Sequence, residues 1–336
     1  MFVPSRCPYP DCTAHTRPHR AFFTRAGTYQ PRCRPHAVPR FRCRLCRRRF
    51  SRQSFRADRG HKKPHLNAPF LRLMVACVGL RQAARVLGVA RRTIEHRFRW
   101  LARHADAFHT QALRGVALTG PFQLDELESF ESNRYQPVTV PILIERHTFF
   151  LVDSAAGPLR RNGRMTPLQR RRRAAHETRH GRRPSHSAPA VRAVLARLRQ
   201  VTHAAPRIVL ESDEKPLYGA LGRRLLGPRF LWRTHAASAR RDRRNPLFPI
   251  NHTNARLRHF LARLRRRTWC VSKTRAALQA HLRIAALWIN WCRGITNRTR
   301  VTPAQALGLA PRPFRPEELL AWRCDWTPLH HLPRTA

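Results

Sequence analysis

The chain carries 18 acidic residues against 67 lysines and arginines, a formal net charge of +49, yet seven of the acids fall in two short stretches. One stretch holds Asp125, Glu126, Glu128 and Glu131; the other holds Glu211, Asp213 and Glu214. Each follows an apolar, strand-like run, 116–124 and 206–210. Carboxylates at the ends of neighbouring strands can clamp two divalent ions. One ion activates an attacking water or hydroxyl, and the other stabilises the leaving oxygen. Asp125 and Asp213 are the pair so placed, 88 residues apart, with room between them for further strands and a helix. The competing reading makes these acids helix caps or ion-pair partners of the many arginines.

A second group of chemically competent residues lies near the N-terminus. Cys7 with Cys12, and Cys43 with Cys46, form two close pairs separated by 30 residues. Thiolates in two short turns can converge tetrahedrally on Zn²⁺ and leave no coordination position open, which makes a structural site. Residues 1–60 are rich in Cys, His, Pro and Arg and poor in apolar runs. Such a segment needs a metal staple in place of a core. Phe41 and Phe50 flank the second pair and are expected to pack on it. Cys33, His15, His19 and His36 could substitute as ligands, and the plainer reading of Cys33 is a free thiol. Cys77, Cys270, Cys292 and Cys324 are scattered in helical or aromatic surroundings and read as core residues. No charged-then-apolar leader precedes them, so the nine cysteines suggest a reducing compartment, where metal binding is favoured over disulfides.

The third constellation is LRQAARVLGVARRTIEHRFR, residues 80–99. Ala84 is small where two helices cross closely, and Gly88 sits four residues later, where a turn wants a left-handed backbone. Leu87, Val89 and Ile94 would fill the space between the helices. Arg91, Arg92, Glu95, His96 and Arg99 then face outward, suited to a DNA major groove. The competing reading is an ordinary helical hairpin with a basic, solvated face.

The elements that must position these groups can be read coarsely. Residues 66–109 read as helical. Strands are expected over 116–130, 137–145 and 147–153. Residues 159–189 form a basic low-complexity stretch, read as a mobile loop or insertion. Residues 190–202 repeat apolar positions at helical spacing. A strand at 208–210, a helix at 218–226 and a strand at 230–234 follow, then helices at 254–267 and 274–293. Three strands followed by alternating helices and strands fit an α+β or α/β ribonuclease-H-like core, a mixed sheet with flanking helices. The expected domains are a zinc ribbon at 1–60, a helix-turn-helix at 66–109, a catalytic domain at 116–300 with its insertion at about 159–189, and a tail at 301–336. The tryptophans of the last third (Trp269, Trp288, Trp291, Trp322, Trp326) are expected in a helical core rather than as stacking platforms for bases.

Composition narrows the partner. At 42% hydrophobic and 8% aromatic residues the chain is a folded protein, not a disordered polycation. Only Lys62, Lys63, Lys215 and Lys273 are lysines. Arginine forks match phosphate oxygens, so a polyanion such as nucleic acid is the leading partner. No hydrophobic run approaches the length of a membrane span, about 20 residues.

The order of cysteine array, helix-turn-helix and acidic strand motifs resembles the DDE-type insertion-sequence transposases. The resemblance runs over most of the chain. It is clearest at Cys7 to Cys46, at Asp125-Glu126, at Ser212-Asp213 and over 257–268, which looks like the family's basic helix beside the third catalytic acid. The TPAQALGL segment from Thr302 is similar to a transposase C-terminus. The resemblance implies catalytic aspartates at Asp125 and Asp213 holding Mg²⁺ or Mn²⁺. It also implies a bacterial, cytoplasmic, nucleoid-associated enzyme that self-associates and binds double-stranded DNA at its element's terminal repeats and at a target. Arg263, Arg265, Arg266 and Arg267 would contact phosphates.

The third catalytic position departs from the family pattern. Residues 249–255 read PINHTNA, and no acid occurs between Asp242 and Glu317. Asn251 aligns best with the missing glutamate, with His252 and Asn254 as neighbours. Three accounts stand. The site works with two aspartates and Asn251 or His252, whose oxygen or nitrogen can ligate a metal without the negative charge. Asp242 or Glu214 supplies the carboxylate from another direction. Or the chain is an inactive, transposase-derived DNA-binding regulator. A basic RNA-binding protein would explain the charge but not the helix-turn-helix.

Overall fold

A computed structural model describes residues 2–31, 36–185, 187–236, 238, 240, 242–265 and 269–323. Two compact units result. One comprises Met1–Pro69 and the stretch that begins at Arg315, and the other is Phe70–Phe314. In chain order the elements are α1 (Thr13–Thr16), β1 (Phe23–Tyr29), β2 (Val38–Cys43), β3 (Arg49–Ser51), α2 (Asn67–Met74), α3 (Leu80–Val86) and α4 (Arg91–Ala112). Then come β4 (Phe122–Glu131), β5 (Asn133–Glu145), β6 (Leu151–Ser154), β7 (Gly157–Pro158), α5 (Pro167–His180), α6 (Ser187–Val201) and β8 (Ile208–Ser212). Last are α7 (Pro216–Leu226), β9 (Phe230–Thr234), α8 (Phe248–Phe260), α9 (Arg275–Trp291), α10 (Pro303–Ala306) and α11 (Pro316–Ala321). No helix among the described residues is long and apolar enough to cross a membrane.

The first unit is a three-stranded antiparallel sheet, β1-β2-β3. Phe22, Phe41 and Phe50 are buried beside Cys7, Cys12 and Cys43. The Phe41 and Phe50 rings face each other across β2 and β3 with centroids 5.7 Å apart. With so few apolar side chains, this core is centred on the thiols themselves.

In the second unit six strands form one mixed sheet, ordered β6-β5-β4-β8-β9, with β7 on β5. β4, β5 and β6 are antiparallel neighbours, whereas β8 runs parallel to β4 and β9 parallel to β8. Residues 138–145 of β5 are buried throughout because helices cover both faces of the sheet. On one face Leu127, Val140, Ile142 and Ile144 pack with Ile250, Leu257 and Leu282 of α8 and α9. The other receives α6, whose Val191, Val194, Leu195 and Leu198 repeat at helical spacing and are buried. The helices of 66–109 share this unit's core: α4 packs along α9, with Phe108 edge-on to Trp291 at 5.1 Å.

Three local expectations are corrected. The strand expected from residue 116 begins at Phe122. The helix expected over 254–267 begins at Phe248 and ends at Phe260, because Pro249 occupies its first turn, where a fixed φ favours initiation. The stretch 159–189, read as a mobile loop or insertion, is not a plain loop: it contains the 14-residue helix α5. Thr166 caps it, its Oγ1 accepting from the Gln169 N–H at 3.2 Å while Gln169 Oε1 accepts from the Thr166 N–H at 3.3 Å. Its arginines are good helix formers once clamped. Arg160 pairs with Glu177 at 2.8 Å, and Arg173 donates to the Arg161 carbonyl at 3.0 Å. Arg170, Arg171 and Arg172 remain exposed.

Candidate active site

β4 and β8 lie side by side in parallel, with Phe122 beside Leu210 and Gln123 beside Glu211. The pairing ends there; Asp125 lies two residues further along β4, and Asp213 is the first residue after β8. Gln123 and Asp125 project to the same face of β4, the one covered by α8. Gln123 donates to the Pro246 carbonyl at 2.7 Å and accepts from the Ile250 N–H at 3.0 Å, which fixes the start of α8 against the strand. One turn further on, Asn254 Nδ2 donates to Asp125 Oδ2 at 2.7 Å. The other Asp125 oxygen accepts from the Glu126 N–H at 2.8 Å. Asp213 is half-buried where the chain leaves β8, and its Oδ1 accepts from the Lys215 N–H at 3.3 Å. The buried Tyr218 phenol is pushed up by burial and then by the charges of Glu126, Asp213 and Asp125, so all three acids lie within its electrostatic reach.

Asn251, which the resemblance put at the third catalytic position, lies three residues before Asn254 on the same helix, close to one turn. It is Asn254, not Asn251, that reaches Asp125. His252 turns into aromatic packing with Phe149 and Phe248, each ring centroid 5.6 Å away. Glu214 is exposed, and Asp242 pairs loosely with Arg240 at 3.7 Å. The Oδ1 of Asn254 is buried without a hydrogen-bond partner among the described residues. An unsatisfied acceptor beside a carboxylate is what a hard cation would complete, and carboxylate and amide oxygens are donors that Mg²⁺ accepts. No third His, Cys, Asp or Glu among the described residues closes in on Asp125 and Asp213 as a ligand.

Three of the other acids are engaged by side chains elsewhere in the fold. Glu211 is buried, accepting from Gln123 at 2.9 Å and from Arg146 at 2.8 Å. Glu131 joins Arg183 at 2.8 Å and also accepts from the Arg275 N–H at 2.9 Å. For these two the ion-pair reading of the sequence holds. Glu126 bonds a lysine, Lys215, at 2.7 Å.

The four cysteines Cys7, Cys12, Cys43 and Cys46 lie together, their sulfurs all within 4.8 Å of one another. Cys7–Cys46 and Cys12–Cys43 are each 3.7 Å apart. Four thiolates about 2.3 Å from a tetrahedral Zn²⁺ sit about 3.8 Å from each other, so the cluster is compatible with structural zinc. Burial raises the Cys7 and Cys12 thiols, so their ionisation needs the charge of a cation. Burial also opposes ionisation of Cys46, but hydrogen bonds from the Arg48 backbone and side chain outweigh it and bring this thiol down to about 7. His15 is buried with its Nδ1 on the Cys7 carbonyl at 2.7 Å, outside the cluster, and His19 and His36 are exposed. Cys33 lies outside the described residues, as does Cys324; Cys77, Cys270 and Cys292 are half-buried.

α3 and α4 are joined through Gly88 at φ +60°, in the left-handed region that favours glycine. Ala84 is buried at the crossing, its carbonyl accepting from the Val89 N–H at 3.0 Å, and Ile94 is buried beneath the turn. Arg91, Arg92, His96 and Arg99 are all exposed on α4, with Arg91 paired to Glu95 at 2.6 Å. Of the basic run that follows α8, Arg263 turns inward over the Phe98 ring at 5.4 Å, where burial lowers its pKa. Arg265 is exposed, and Arg266 and Arg267 lie outside the described residues. Trp291 and Trp322 are buried and Trp288 packs against the α8–α9 core, whereas Trp269 is 99% exposed, not a core residue. Trp326 lies outside the described residues.

Two participants escaped the sequence reading. Asn254 was visible only as a neighbour of Asn251; which amide faces the strand depends on where the helix starts. Lys215 had one signal, its being one of four lysines in an arginine-rich chain. No protein-family model and no curated protein matches the chain.

Proposed function

We propose that the chain is a DDE-type DNA transposase that binds the ends of an insertion sequence and catalyses metal-dependent strand cleavage and transfer, with an amide in the third catalytic position. What supports this reading is Asp125 on the central strand, bonded to Asn254 of the covering helix, with Asp213 just past the end of the parallel neighbouring strand. Three antiparallel strands followed by helix, strand, helix, strand and helix fit the ribonuclease-H-like core expected from the sequence. Asp125 and Asp213, with the amide oxygens of Asn254 and Asn251 beside them, would hold Mg²⁺ or Mn²⁺. The ions would activate a water or 3′-hydroxyl and stabilise the leaving oxygen. With two carboxylates in place of three, the cation is held more weakly and more by the substrate's own phosphate.

The exposed Arg91, Arg92, His96 and Arg99 suit duplex DNA, and the cysteine cluster with Zn²⁺ would brace a second reading head. Synapsis of two ends requires self-association, and the workplace is the bacterial nucleoid in the cytoplasm. The missing carboxylate specifically favours one other reading, an inactive transposase derivative that regulates by binding DNA. A nicking assay separates the two. Purified protein is incubated with Mg²⁺ or Mn²⁺ and DNA spanning its own gene's flanks, beside an Asp125→Asn control. Metal-dependent breaks absent from the control are expected. Tight binding without any break would replace the enzyme with the regulator.

A further inference from the structure

On the face of β4 away from Asn254, Glu126 gathers more donors than an isolated ion pair needs. Neighbouring strand residues alternate in direction, so Glu126 points opposite to Asp125. Its carboxylate accepts from Lys215 Nζ at 2.7 Å, from Ser187 Oγ at 2.8 and 2.9 Å, and from the Thr139 hydroxyl. Lys215 Nζ also donates to Ser187 Oγ at 3.1 Å and lies 5.6 Å from the centre of the Tyr218 ring. Thus β4, β5, the first residue of α6 and the turn before α7 converge on one carboxylate.

We propose that Glu126, Lys215 and Ser187 form a positioning bracket that sets the spacing of Asp125 and Asp213. The inference rests on those two aspartates being the metal-holding pair. Glu126 is the residue after Asp125, and Lys215 follows Asp213 by two. Their bond therefore ties together the two backbone segments that carry the aspartates, from outside the space a metal would fill. The backbone hydrogen bond from the Lys215 N–H to Asp213 Oδ1 makes the same residue orient the second aspartate directly. Strand pairing cannot do this alone, because the β4–β8 ladder stops at Gln123 and Glu211, two residues short of the aspartates.

The choice of lysine fits this role. An ammonium is a compact charge with three donors, able to sit between a carboxylate and a hydroxyl, whereas a planar guanidinium needs more room. In a chain with only four lysines, one stands here. The Lys215 side chain is 38% exposed and that of Glu126 10%, so the bracket lies at the rim of the site, not in the hydrophobic core. A displacement of about 1 Å in a catalytic group costs about 100-fold in rate. Loosening the bracket acts through that route while no group that touches substrate is removed.

The test uses the full chain. Glu126→Gln keeps acceptance from Ser187 and Thr139 and loses the charge that holds Lys215. Lys215→Arg keeps the charge and changes its shape. Each is compared with wild type for Mn²⁺ binding by electron paramagnetic resonance, Mn²⁺-dependent nicking, DNA binding and thermal unfolding. Nicking by Glu126→Gln is expected to fall at least about tenfold, with its Mn²⁺ midpoint moved upward and DNA affinity unchanged. Lys215→Arg should not restore the midpoint, while the reversed pair Glu126→Lys with Lys215→Glu should recover part of it. A variant that unfolds earlier yet keeps the wild-type Mn²⁺ midpoint would make the cluster purely structural and overturn the bracket. Wild-type nicking and Mn²⁺ binding in Glu126→Gln would do the same while leaving the transposase reading intact. A wild-type protein that neither nicks nor binds Mn²⁺ at Asp125 would remove the site and the bracket together.

Discussion

Asn254 illustrates how much a single side chain carries at this site. Its amide holds Asp125 in place through one hydrogen bond and leaves a buried oxygen unsatisfied. On the transposase reading proposed above, Asn251, close to one turn earlier, is where a carboxylate would add charge to the site. Asn251→Glu is expected to bind Mn²⁺ at least about tenfold more tightly, since ligand charge moves such affinities by decades. An unchanged Mn²⁺ titration would place residue 251 away from the ion. Among the cysteines, Cys43→Ser removes one of four sulfurs that lie within 4.8 Å of each other. Structural zinc in small domains contributes on the order of 10 kcal/mol to folding, so losing a ligand should release the metal and melt the three-stranded sheet. Elemental analysis showing full zinc occupancy in the variant would refute this.

At the scale of elements, close approach of α7 to β9 decides how the end of β8 is held. Gly219 and Gly222 lie against the Trp232 and Phe230 rings, so that a Cβ at either would occupy the ring's own space. The same Trp232 donates its Nε1–H to Ser212 Oγ at 2.8 Å, one residue before Asp213. Gly219→Ala should therefore cost about 1–3 kcal/mol, the usual range for overpacking, read as a lower denaturant midpoint. A midpoint equal to wild type would mean the indole moves aside freely. Helix α5 shows the converse case, an element with no buried residue. Its Arg173 donates to the Arg161 carbonyl and its Glu177 pairs with Arg160, while Arg170, Arg171 and Arg172 stay exposed.

Over the whole molecule the largest unbalanced quantity is charge, and burial decides which groups respond to pH. His281 on α9 is buried, its Nε2 on the Met74 carbonyl at 2.7 Å. Burial and then the charge of Arg263 push this imidazole down to about 3. Folded, it stays neutral; unfolded, it takes a proton below about pH 6.5. Its contribution is present in full above that value and is lost as pH falls, at up to about 1.4 kcal/mol per pH unit. Urea midpoints should fall between pH 7 and pH 5, and the slope should flatten in His281→Gln. A slope unchanged by that substitution would assign the acid sensitivity to other groups.

The sequence by itself determined what depends on local spacing. The two cysteine pairs, the Ala84–Gly88 turn, the outward Arg91, Arg92, His96 and Arg99, and most strand and helix positions follow from nearest neighbours and periodicity. Near-neighbour chemistry also marked Asp125 and Asp213 as distinctive, because acids are scarce in so basic a chain. Only the tertiary structure decided which acids are engaged elsewhere: Glu131 and Glu211 meet Arg183 and Arg146 across the fold. It alone set Asn254 on Asp125, since the face an amide presents depends on where α8 starts and how it lies on β4. It turned Arg263 inward, away from the phosphate contact the resemblance implied, and Trp269 outward from the helical core expected for it. The reason is common to all of these. Hydrogen bonds and ion pairs between residues 52 to 129 positions apart are fixed by strand register and helix packing, and no local pattern encodes them.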